Sequence, residues 1–486
     1  MLQELLLDEA VPQKRYRLKI ISRELPADLE TPVSAFLKLR DFGAKVLLES
    51  VEYGITLGRY SFVGFQLHSQ MNIHRNQTII ENSAGKQVFT HNGRSPLQYV
   101  KDILGKFTID ADPMLTRLLG GVVGNISYDF IRFIENIPDI SKDLLGTPLA
   151  SFYFIDTLLV FDHVQRRMRV MSLSDDSSSK EITENIEAIL DRLRSPLTTV
   201  FPQDPIKSCG EPVSNLGKEG FCRGVEKVKE HILSGDVYQL VLSQRYSGET
   251  DADPFLIYRA LRMLNPSPYM FFLEMKDVTL IGSSPEALVS LENGRASVHP
   301  IAGTRPRGAT DKEDRQLGEE LMADEKEKAE HVMLVDLGRN DLGRCCVYGS
   351  VSVPEFMNIE RYSHVMHICS HVTGKLKPGL DQFDLFCATF PAGTVSGAPK
   401  IRAMQIIEEL EGLKRGPYAG AVGYFSLSGD TDWCIGIRTI IMKGRKYFLQ
   451  AGAGIVADSI PENEWVESNN KLAALRKAIE LAEEGL

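Results

Sequence analysis

Two Glu-x-x-Glu pairs lie far apart in this chain, and together they constrain its fold more than any other feature. One pair is Glu327 and Glu330, and the other is Glu464 and Glu467. Residues three apart on a helix share a face, so each pair predicts two carboxylates that point in one direction. If both pairs serve one site, the chain must bring two remote helices together across a cleft. Their carboxylates would then form a hard oxygen site that suits Mg²⁺.

Each pair also has a plainer structural explanation. The first lies in residues 323–331, where acidic and basic side chains alternate, as they do on a solvated helix. The second follows a predicted helix start, with Ser459 as the N-cap, Pro461 in the first turn and Glu462 three residues after the cap. On that helix Lys471 shares a stripe with the two acids. The charge pattern alone therefore leaves both a metal site and a surface helix open.

Composition excludes several classes of protein. The net charge of −10 and the pI of about 5.6 argue against a nucleic-acid partner, which favours a basic face. No apolar run is long enough to span a membrane, and the acidic stretch 1–10 lacks the basic flank of a signal peptide. The seven cysteines form no Cys-x-x-Cys motif, which fits a reducing compartment and gives no zinc signature. We therefore expect a cytoplasmic protein with no membrane segment.

The order of strand-like and helix-like segments indicates two lobes. A stretch rich in Pro, Gly and Ser predicts the boundary between them. The predicted parts are an N-terminal lobe at 1–196, a linker at 197–217 and a catalytic lobe at 218–486. Further predictions are a hairpin from 158–162 and 167–171, helices near 312–338 and 396–413, and a helix to the C-terminus.

Two glycine-rich motifs do not support the functions that they resemble. Residues 452–457 match the dinucleotide pattern G-x-G-x-x-A, but the next helix begins too late to receive a pyrophosphate. We interpret these glycines as positions where the backbone closely approaches another ligand. The Gly-x-Cys-x-Gly match around Cys222 opens an amphipathic helix, where an incidental thiol is the plainer interpretation.

Eight strings then occur in a fixed order along the chain, at residues 236–245, 282–286, 300–308, 324–331, 334–341, 361–367, 391–400 and 451–458. Together they resemble the chorismate-utilising enzymes, and most closely the synthase components of the anthranilate synthases. The resemblance is strong over residues 215–478, and it extends to the N-terminal part through 47–50 and 58–62. It implies an α+β fold, in which two large antiparallel β-sheets pack as a sandwich and are surrounded by helices.

The implied reaction converts chorismate and ammonia to anthranilate and pyruvate, the first step of tryptophan biosynthesis. By resemblance, Glu286 is the general acid and His367 is the histidine implicated in pyruvate elimination. The implied substrate-binding residues are Thr394, Tyr418, Arg438, Gly454 and Lys471. The implied cofactor is Mg²⁺, held by Glu327, Glu330, Glu464 and Glu467. In isolation, Glu286 would be a strand-end surface carboxylate and His367 a structural or surface histidine.

Two positions discriminate between members of the family. In aminodeoxychorismate synthases, a lysine that attacks the substrate commonly stands where this chain has Ala302. In isochorismate and salicylate synthases, a lysine base that activates water corresponds to Gln239. An uncharged amide cannot serve as that base, so both residues favour attack by ammonia.

The resemblance also implies two partners. A separate glutaminase subunit, component II, would supply ammonia, because no glutaminase domain is recognisable in this chain. Tryptophan would act as a feedback inhibitor that contacts Glu49, Ser50, Pro268, Tyr269 and Met270. The alternatives are component I of an aminodeoxychorismate synthase and a regulator that binds chorismate or an amino acid without turnover.

Overall fold

The computed structural model describes residues 15–50, 58–83, 85–110, 116–175, 178–198, 206, 210–362 and 365–486. The predicted N-terminal stretch 1–10, much of the linker 197–217 and part of the string 361–367 lie outside these residues. Among the helices described, none is both long and apolar enough to cross a membrane.

The first sheet contains thirteen strands among the described residues. They are β1 Tyr16–Pro26, β2 Val46–Glu49, β3 Tyr60–Gly64, β7 Phe107–Asp110, β10 Thr157–Asp162, β11 Arg167–Ser174, β12 Val213–Ser214, β13 Gln239–Glu249, β14 Tyr269–Glu274, β15 Thr279–Ser284, β21 Gly397–Ala398, β24 Thr439–Lys443 and β25 Lys446–Ile455. Their order is β12-β13-β25-β24-β15-β14-β2-β3-β10-β11-β1-β7, with β21 paired to β13. Neighbours are antiparallel except β1 and β7, which are parallel.

The second sheet contains twelve strands within the described ranges. They are β4 Gln70–Ile73, β5 Gln77–Asn82, β6 Gly85–Thr90, β8 Gly121–Ile126, β9 Ala150–Ile155, β16 Ala287–Glu292, β17 Arg295–Val298, β18 Ile301–Pro306, β19 Ser352–Arg361, β20 Val365–Lys375, β22 Ala421–Ser426 and β23 Thr431–Ile435. Their order is β18-β20-β17-β16-β23-β22-β8-β9-β4-β5-β6, with β19 paired to β20.

Helices cover the outer faces of both sheets. They are α1 Pro32–Lys38, α2 Pro96–Leu104, α3 Ser179–Arg194, α4 Gly217–Leu233, α5 Pro254–Leu264, α6 Asp311–Ala323, α7 Glu325–Cys345, α8 Gln382–Thr389, α9 Lys400–Glu411 and α10 Pro461–Glu484. Helices α1, α3, α5 and α10 pack on the first sheet, and α2, α7 and α8 pack on the second. Short 3₁₀ turns lie at Arg40–Phe42, Tyr128–Phe133 and Gly393–Val395.

A separate apolar core lies between the two sheets. Phe62 of β3 meets Tyr424 of β22 with 6.2 Å between ring centroids, and Val123 and Phe271 are buried in the same cluster. Burial of such rings between facing sheets is the main driving force for this packing. The predicted α+β sandwich is therefore confirmed.

Strands from before and after the predicted linker share both sheets. In the first sheet β2 pairs with β14, and in the second β8 pairs with β22. Within the linker range, Val213 and Ser214 form the edge strand β12. The division into lobes at 197–217 stays a prediction.

Local predictions succeeded where periodicity was strong and failed at helix starts. The hairpin of β10 and β11 is confirmed. The single helix near 312–338 is wrong, because Asp324 ends α6 and caps α7 by accepting from the backbone N–H groups of Lys326 and Glu327. Ser459 as the N-cap of α10 is also wrong. Ile460 is the N-cap, and the Ser459 hydroxyl instead accepts from the Val456 N–H at 3.1 Å.

Candidate active site

Glu286 lies just beyond the end of β15, after Pro285. The N–H of Ile435 donates to its backbone carbonyl at 3.0 Å, and the Thr394 hydroxyl donates to its carboxyl group at 2.9 Å. Burial raises the pKa of Glu286 to about 7, although the Thr394 hydrogen bond and the charge of Lys471 both lower it. A carboxyl group with this pKa is partly protonated at neutral pH and can deliver a proton.

The residue that supports Glu286 lies in a short 3₁₀ turn. Thr394 is the middle residue of Gly393–Val395, between α8 and α9. A Cβ atom at Gly393 would lie 1.9 Å from Cδ2 of Leu337, so any larger residue would have to displace that side chain of α7. The turn therefore brings a hydroxyl group from one part of the chain to a carboxyl group from another.

His367 on β20 is held in one tautomer. Its Nδ1 lies 2.8 Å from the carbonyl oxygen of Gly303, which can only accept, so Nδ1 carries the proton and Nε2 keeps its lone pair. Burial lowers the pKa of His367, the Gly303 hydrogen bond and the charge of Glu360 oppose this, and the charge of Arg438 lowers the pKa further. The imidazole is therefore a neutral base near pH 7, and it lies in the field of Arg438.

Arg438 adopts a left-handed backbone conformation, with φ of 49°. Such a conformation is uncommon for a non-glycine residue and is often found at functional sites. Its Nη1 donates to the carbonyl oxygen of Lys471 at 2.9 Å, and burial lowers its pKa. Tyr418 is buried nearby, and burial raises its pKa to about 12, while the Arg415 and Arg438 charges lower it. Arg438 and Tyr418 thus provide a cation and a phenol on one side of the site.

Lys471 connects α10 to the glycines of β25. Its Nζ donates to the carbonyl oxygen of Gly452 at 3.0 Å and pairs with Glu467 at 2.8 Å. A Cβ atom at Gly454 would lie 2.6 Å from Nε2 of Gln239. These glycines lie inside a strand and not before a helix, which agrees with the rejection of a dinucleotide motif.

The four glutamates lie in the first two turns of two helices, with Glu327 and Glu464 in the first turn of each. In α7, Glu330 accepts from Nε2 of Gln239 at 3.0 Å, and Glu327 lies 3.5 Å from Arg305. Burial raises the pKa of Glu327, and the neighbouring Glu330 raises it further. In α10, burial raises the pKa of Glu464, the Ser459 hydrogen bond lowers it, and Glu467 raises it again. In each pair, one acid therefore makes ionisation of the other less favourable.

The beginnings of the two helices face a common region. The charge of Lys326 in α7 is close enough to lower the pKa of Glu464 in α10, after the larger effects of burial, Ser459, Glu467 and Lys471. Gln239 adds a second connection, because it binds Glu330 and also touches Gly454 on the strand that precedes α10. In the described part of the chain, no three His, Cys, Asp or Glu side chains are already gathered as a metal site. Carboxylate oxygens are ligands that Mg²⁺ prefers, and this ion usually keeps several waters, so it needs only one or two carboxylates from the protein. The four-glutamate site stays a prediction.

The two discriminating positions lie on strands of different sheets. Gln239 is the first residue of β13. Ala302 is buried on β18 and pairs with Ile368, the residue after His367 on β20. A lysine in place of Gln239 would therefore begin on a strand beside Glu330. A lysine in place of Ala302 would begin on a strand beside His367.

The predicted inhibitor residues lie in two paired segments of the first sheet, where Tyr269 packs in the core between the sheets and Met270 in the core on the outer face. Glu49 is buried on β2, where its carboxylate accepts from the Tyr258 hydroxyl and from Nε of Arg262 at 3.0 Å. Met270 on β14 lies directly opposite Glu49, and the Tyr269 hydroxyl donates to Asp432 at 3.0 Å. Pro268 is buried just before β14, and Ser50 follows β2. The sheet thus brings together two segments that are remote in sequence.

Two groups of charged residues near the site were missed from sequence. Arg305 holds both Asp324 and Glu327, and Arg415 forms a buried pair with Glu411. Both pairings resemble ordinary surface charges in sequence. In the sequence, Arg415 stands directly before Gly416 and Pro417 and close to Tyr418. That position indicates that Arg415 belongs to the site.

Comparison with known proteins gives one consistent family. A model of chorismate binding enzymes matches residues 49–477. The anthranilate synthase component 1 of Acetivibrio thermocellus is 46% identical, covering 98% of this chain and 99% of that protein. The corresponding protein of Aquifex aeolicus is also 46% identical, covering 97% of this chain and 96% of that protein.

Among solved structures, anthranilate synthase component I from Streptococcus pneumoniae has a TM-score of 0.78 at 38% identity, covering 88% of this chain and 94% of that one. The menaquinone-specific isochorismate synthase of Escherichia coli shares the fold, with a TM-score of 0.71 at 21% identity over 96% of this chain and 95% of that one.

Proposed function

This chain belongs to the family of chorismate binding enzymes, and we propose that it is the synthase component, component I, of an anthranilate synthase. It would convert chorismate and ammonia to anthranilate and pyruvate, with component II as the glutaminase that delivers the ammonia. The observation that carries this proposal is the Glu286 carboxyl group, whose pKa is raised to about 7 by burial and which accepts a hydrogen bond from Thr394.

Chorismate carries two carboxylates, and the site offers matching cations. Arg438 can bind a carboxylate with two parallel N–H donors, and the ammonium group of Lys471 adds a second positive charge. The Tyr418 hydroxyl and the backbone N–H of Gly454 are further donors. Burial around Arg438 and Tyr418 strengthens each of these contacts, because little water competes with the substrate.

Glu286 would act as the general acid in the first half of the reaction. Ammonia adds at ring C2 while the C4 hydroxyl leaves, and the leaving oxygen needs a proton. The protonated Glu286 supplies it, and Thr394 orients the carboxyl group. In the second half the enolpyruvyl group leaves as pyruvate and the ring becomes aromatic. Nε2 of His367 has a free lone pair for a proton in that step.

Glu327, Glu330, Glu464 and Glu467 would hold Mg²⁺. When bound, the ion supplies Lewis-acid polarisation of the ring carboxylate of the substrate. The protein's part is to present oxygen donors from two helix starts. Arg305, which lies 3.5 Å from Glu327, offsets part of the negative charge of the four carboxylates.

The nucleophile in this proposal is ammonia. Gln239 donates to Glu330 and has no basic nitrogen with which to activate water. Ala302 offers no amine that could attack the substrate. Neither residue therefore supports the isochorismate or aminodeoxychorismate reaction.

We also propose that tryptophan inhibits the enzyme at the paired segments around Glu49 and Met270 and that the protein works in the cytoplasm. The support for an inhibitor site is the pairing of Glu49 with Met270, which joins two segments remote in sequence. A ligand that contacts both segments could change how they are arranged.

The decisive experiment identifies the product. The purified chain is incubated with chorismate, Mg²⁺ and ammonium, and the products are separated and identified. We expect anthranilate and pyruvate in equal amounts. Aminodeoxychorismate without pyruvate would replace this proposal with the related synthase, and absence of turnover would favour a binding regulator.

A further inference from the structure

A buried ion pair lies behind the residues that face the substrate. The side chains of Arg415 and Glu411 are 1% and 4% exposed. The guanidinium donates to both carboxylate oxygens, through Nε at 2.8 Å and through Nη2 at 2.6 Å. Such a two-pronged pair fixes both the distance and the orientation of the partners.

The same guanidinium tethers two backbone segments. Its Nη1 donates to the carbonyl oxygen of Val395 at 2.6 Å, and its Nη2 donates to that of Val241 at 2.8 Å. Glu411 completes the second connection by accepting from the N–H and hydroxyl of Ser243, at 2.8 and 2.7 Å. The pair therefore joins the 3₁₀ turn Gly393–Val395 to β13, the strand that begins at Gln239.

A third contact reaches an aromatic wall of the site. The Arg415 guanidinium lies 5.5 Å from the ring centroid of Tyr418 and 4.7 Å from that of Tyr128. Cations at such distances over aromatic faces are attracted to them. One side chain thus contacts the turn of Thr394, the strand of Gln239 and the ring of Tyr418.

We propose that Arg415, held by Glu411, is a positioning residue for the general acid. By fixing the carbonyl group of Val395, it keeps the neighbouring Thr394 hydroxyl on the carboxyl group of Glu286. This inference rests on the proposed function, because it assigns Arg415 to the same site. The segment after the turn is also held to β13, because the N–H of Val241 donates to the carbonyl oxygen of Ser396 at 2.9 Å, and Arg415 adds the bond to Val395 inside the turn.

The proposal has a consequence that a merely structural ion pair would not have. Burial raises the pKa of Glu286, and the Thr394 hydrogen bond and the charge of Lys471 both lower it. If the tether is loosened, the Thr394 bond weakens and the pKa of Glu286 rises. Since the acid must be protonated to act, the alkaline limb of the pH–rate profile then moves to higher pH.

The test compares Arg415→Lys, Thr394→Val and the double variant. Lysine keeps a cation for Glu411, so the variant retains the charge balance of the core, but it cannot reproduce the guanidinium's fork of donors. The measurement is kcat/KM for chorismate against pH, with free ammonia held constant. We expect kcat to fall roughly 10- to 100-fold in Arg415→Lys. We expect the alkaline limb to move up by roughly 0.5–1 pH unit in both single variants, with no further shift in the double variant.

Lys38→Met is the control for a general loss of stability. Lys38 is another buried cation, which pairs with Glu30 and donates to the carbonyl oxygen of Leu193 at 2.8 Å, on elements that do not carry the site. We expect it to lower the melting temperature and leave the alkaline limb in place. If Arg415→Lys behaves like this control, or if its shift adds to that of Thr394→Val, the proposal is wrong.

A second readout separates this inference from the proposed function. The titration of Glu286 can be followed by infrared difference spectroscopy of its carboxyl band, with Glu286→Gln as the blank, whatever the product is. Absence of anthranilate from the wild-type chain would overturn the function alone. An unchanged carboxyl titration in Arg415→Lys would overturn the positioning role alone.

Discussion

At the scale of single residues, Glu286 marks the boundary of what sequence can predict. The string that ends at Glu286 identifies it by resemblance, but an isolated carboxylate after a strand is by default a surface group. Its behaviour depends on burial and on the hydroxyl of Thr394, which lies 108 positions further along the chain. A pattern of neighbouring letters does not encode such a contact, because the fold alone brings the two groups together.

The raised pKa of Glu286 predicts the pH dependence of the enzyme. A general acid is active while protonated, so kcat/KM at constant free ammonia should fall as pH rises through about 7. Glu286→Gln should lower kcat by about 10²- to 10⁴-fold and remove this limb, since an amide does not titrate. The measurement is anthranilate fluorescence across pH. A limb that persists unchanged in Glu286→Gln would assign the titration to another group.

At the scale of elements, the acidic helices were predictable as helices, but their starts were not. The i, i+3 spacing correctly placed each glutamate pair on one face of a helix. The N-caps depend on local backbone geometry, so Asp324 divided one expected helix into two, and Ser459 was displaced by Ile460. Gln239 links Glu330 to Gly454 on the strand before α10 because β13 pairs with β25, and periodicity does not reveal that pairing.

The position of Glu330 near the start of α7 predicts the effect of removing its charge on turnover and on Mg²⁺ binding. Glu330→Gln should abolish turnover while the chain stays folded, and it should lower Mg²⁺ affinity by roughly 10- to 100-fold or more. Binding is measured without substrate, as the rise in melting temperature that added Mg²⁺ produces, because a ligand of the native state stabilises it.

Glu325→Gln is the control for this prediction. Glu325 lies on the same helix, but its side chain is 85% exposed and pairs with Lys328. We expect this variant to keep both turnover and the response to Mg²⁺. Equal loss in Glu325→Gln and Glu330→Gln would indicate a general charge effect, and full activity in Glu330→Gln would remove that acid from the site.

At the scale of the whole molecule, the α+β sandwich follows from resemblance, whereas the strand order could not be derived from local pattern. The pairing of Glu49 with Met270 joins residues more than two hundred positions apart. Nothing in either segment specifies the other, since alternating apolar residues fit many neighbours equally well. The sheet is determined by the joint burial of both faces.

The long-range pairing also predicts how inhibition would be lost. Saturating tryptophan should suppress anthranilate formation by the wild-type chain. Glu49→Gln should raise the inhibitory tryptophan concentration roughly tenfold or more while retaining most of kcat, because the charge held by Arg262 and Tyr258 is lost.

Glu81→Gln serves as the comparison for inhibition. Glu81 is also an acid of the N-terminal half, and it pairs with Lys276 near the surface. We expect it to leave inhibition unchanged. Undiminished activity of the wild-type chain in saturating tryptophan would rule out this form of regulation.

The sharing of both sheets by strands from each half has an evolutionary consequence. A recombination event that replaced only residues before the linker would leave the open edges of β14 and β22 facing a new neighbour. Unpaired strand edges of that kind promote aggregation. The two halves are therefore expected to be inherited as one unit, and new variants of this fold should arise by substitution and not by exchange of halves.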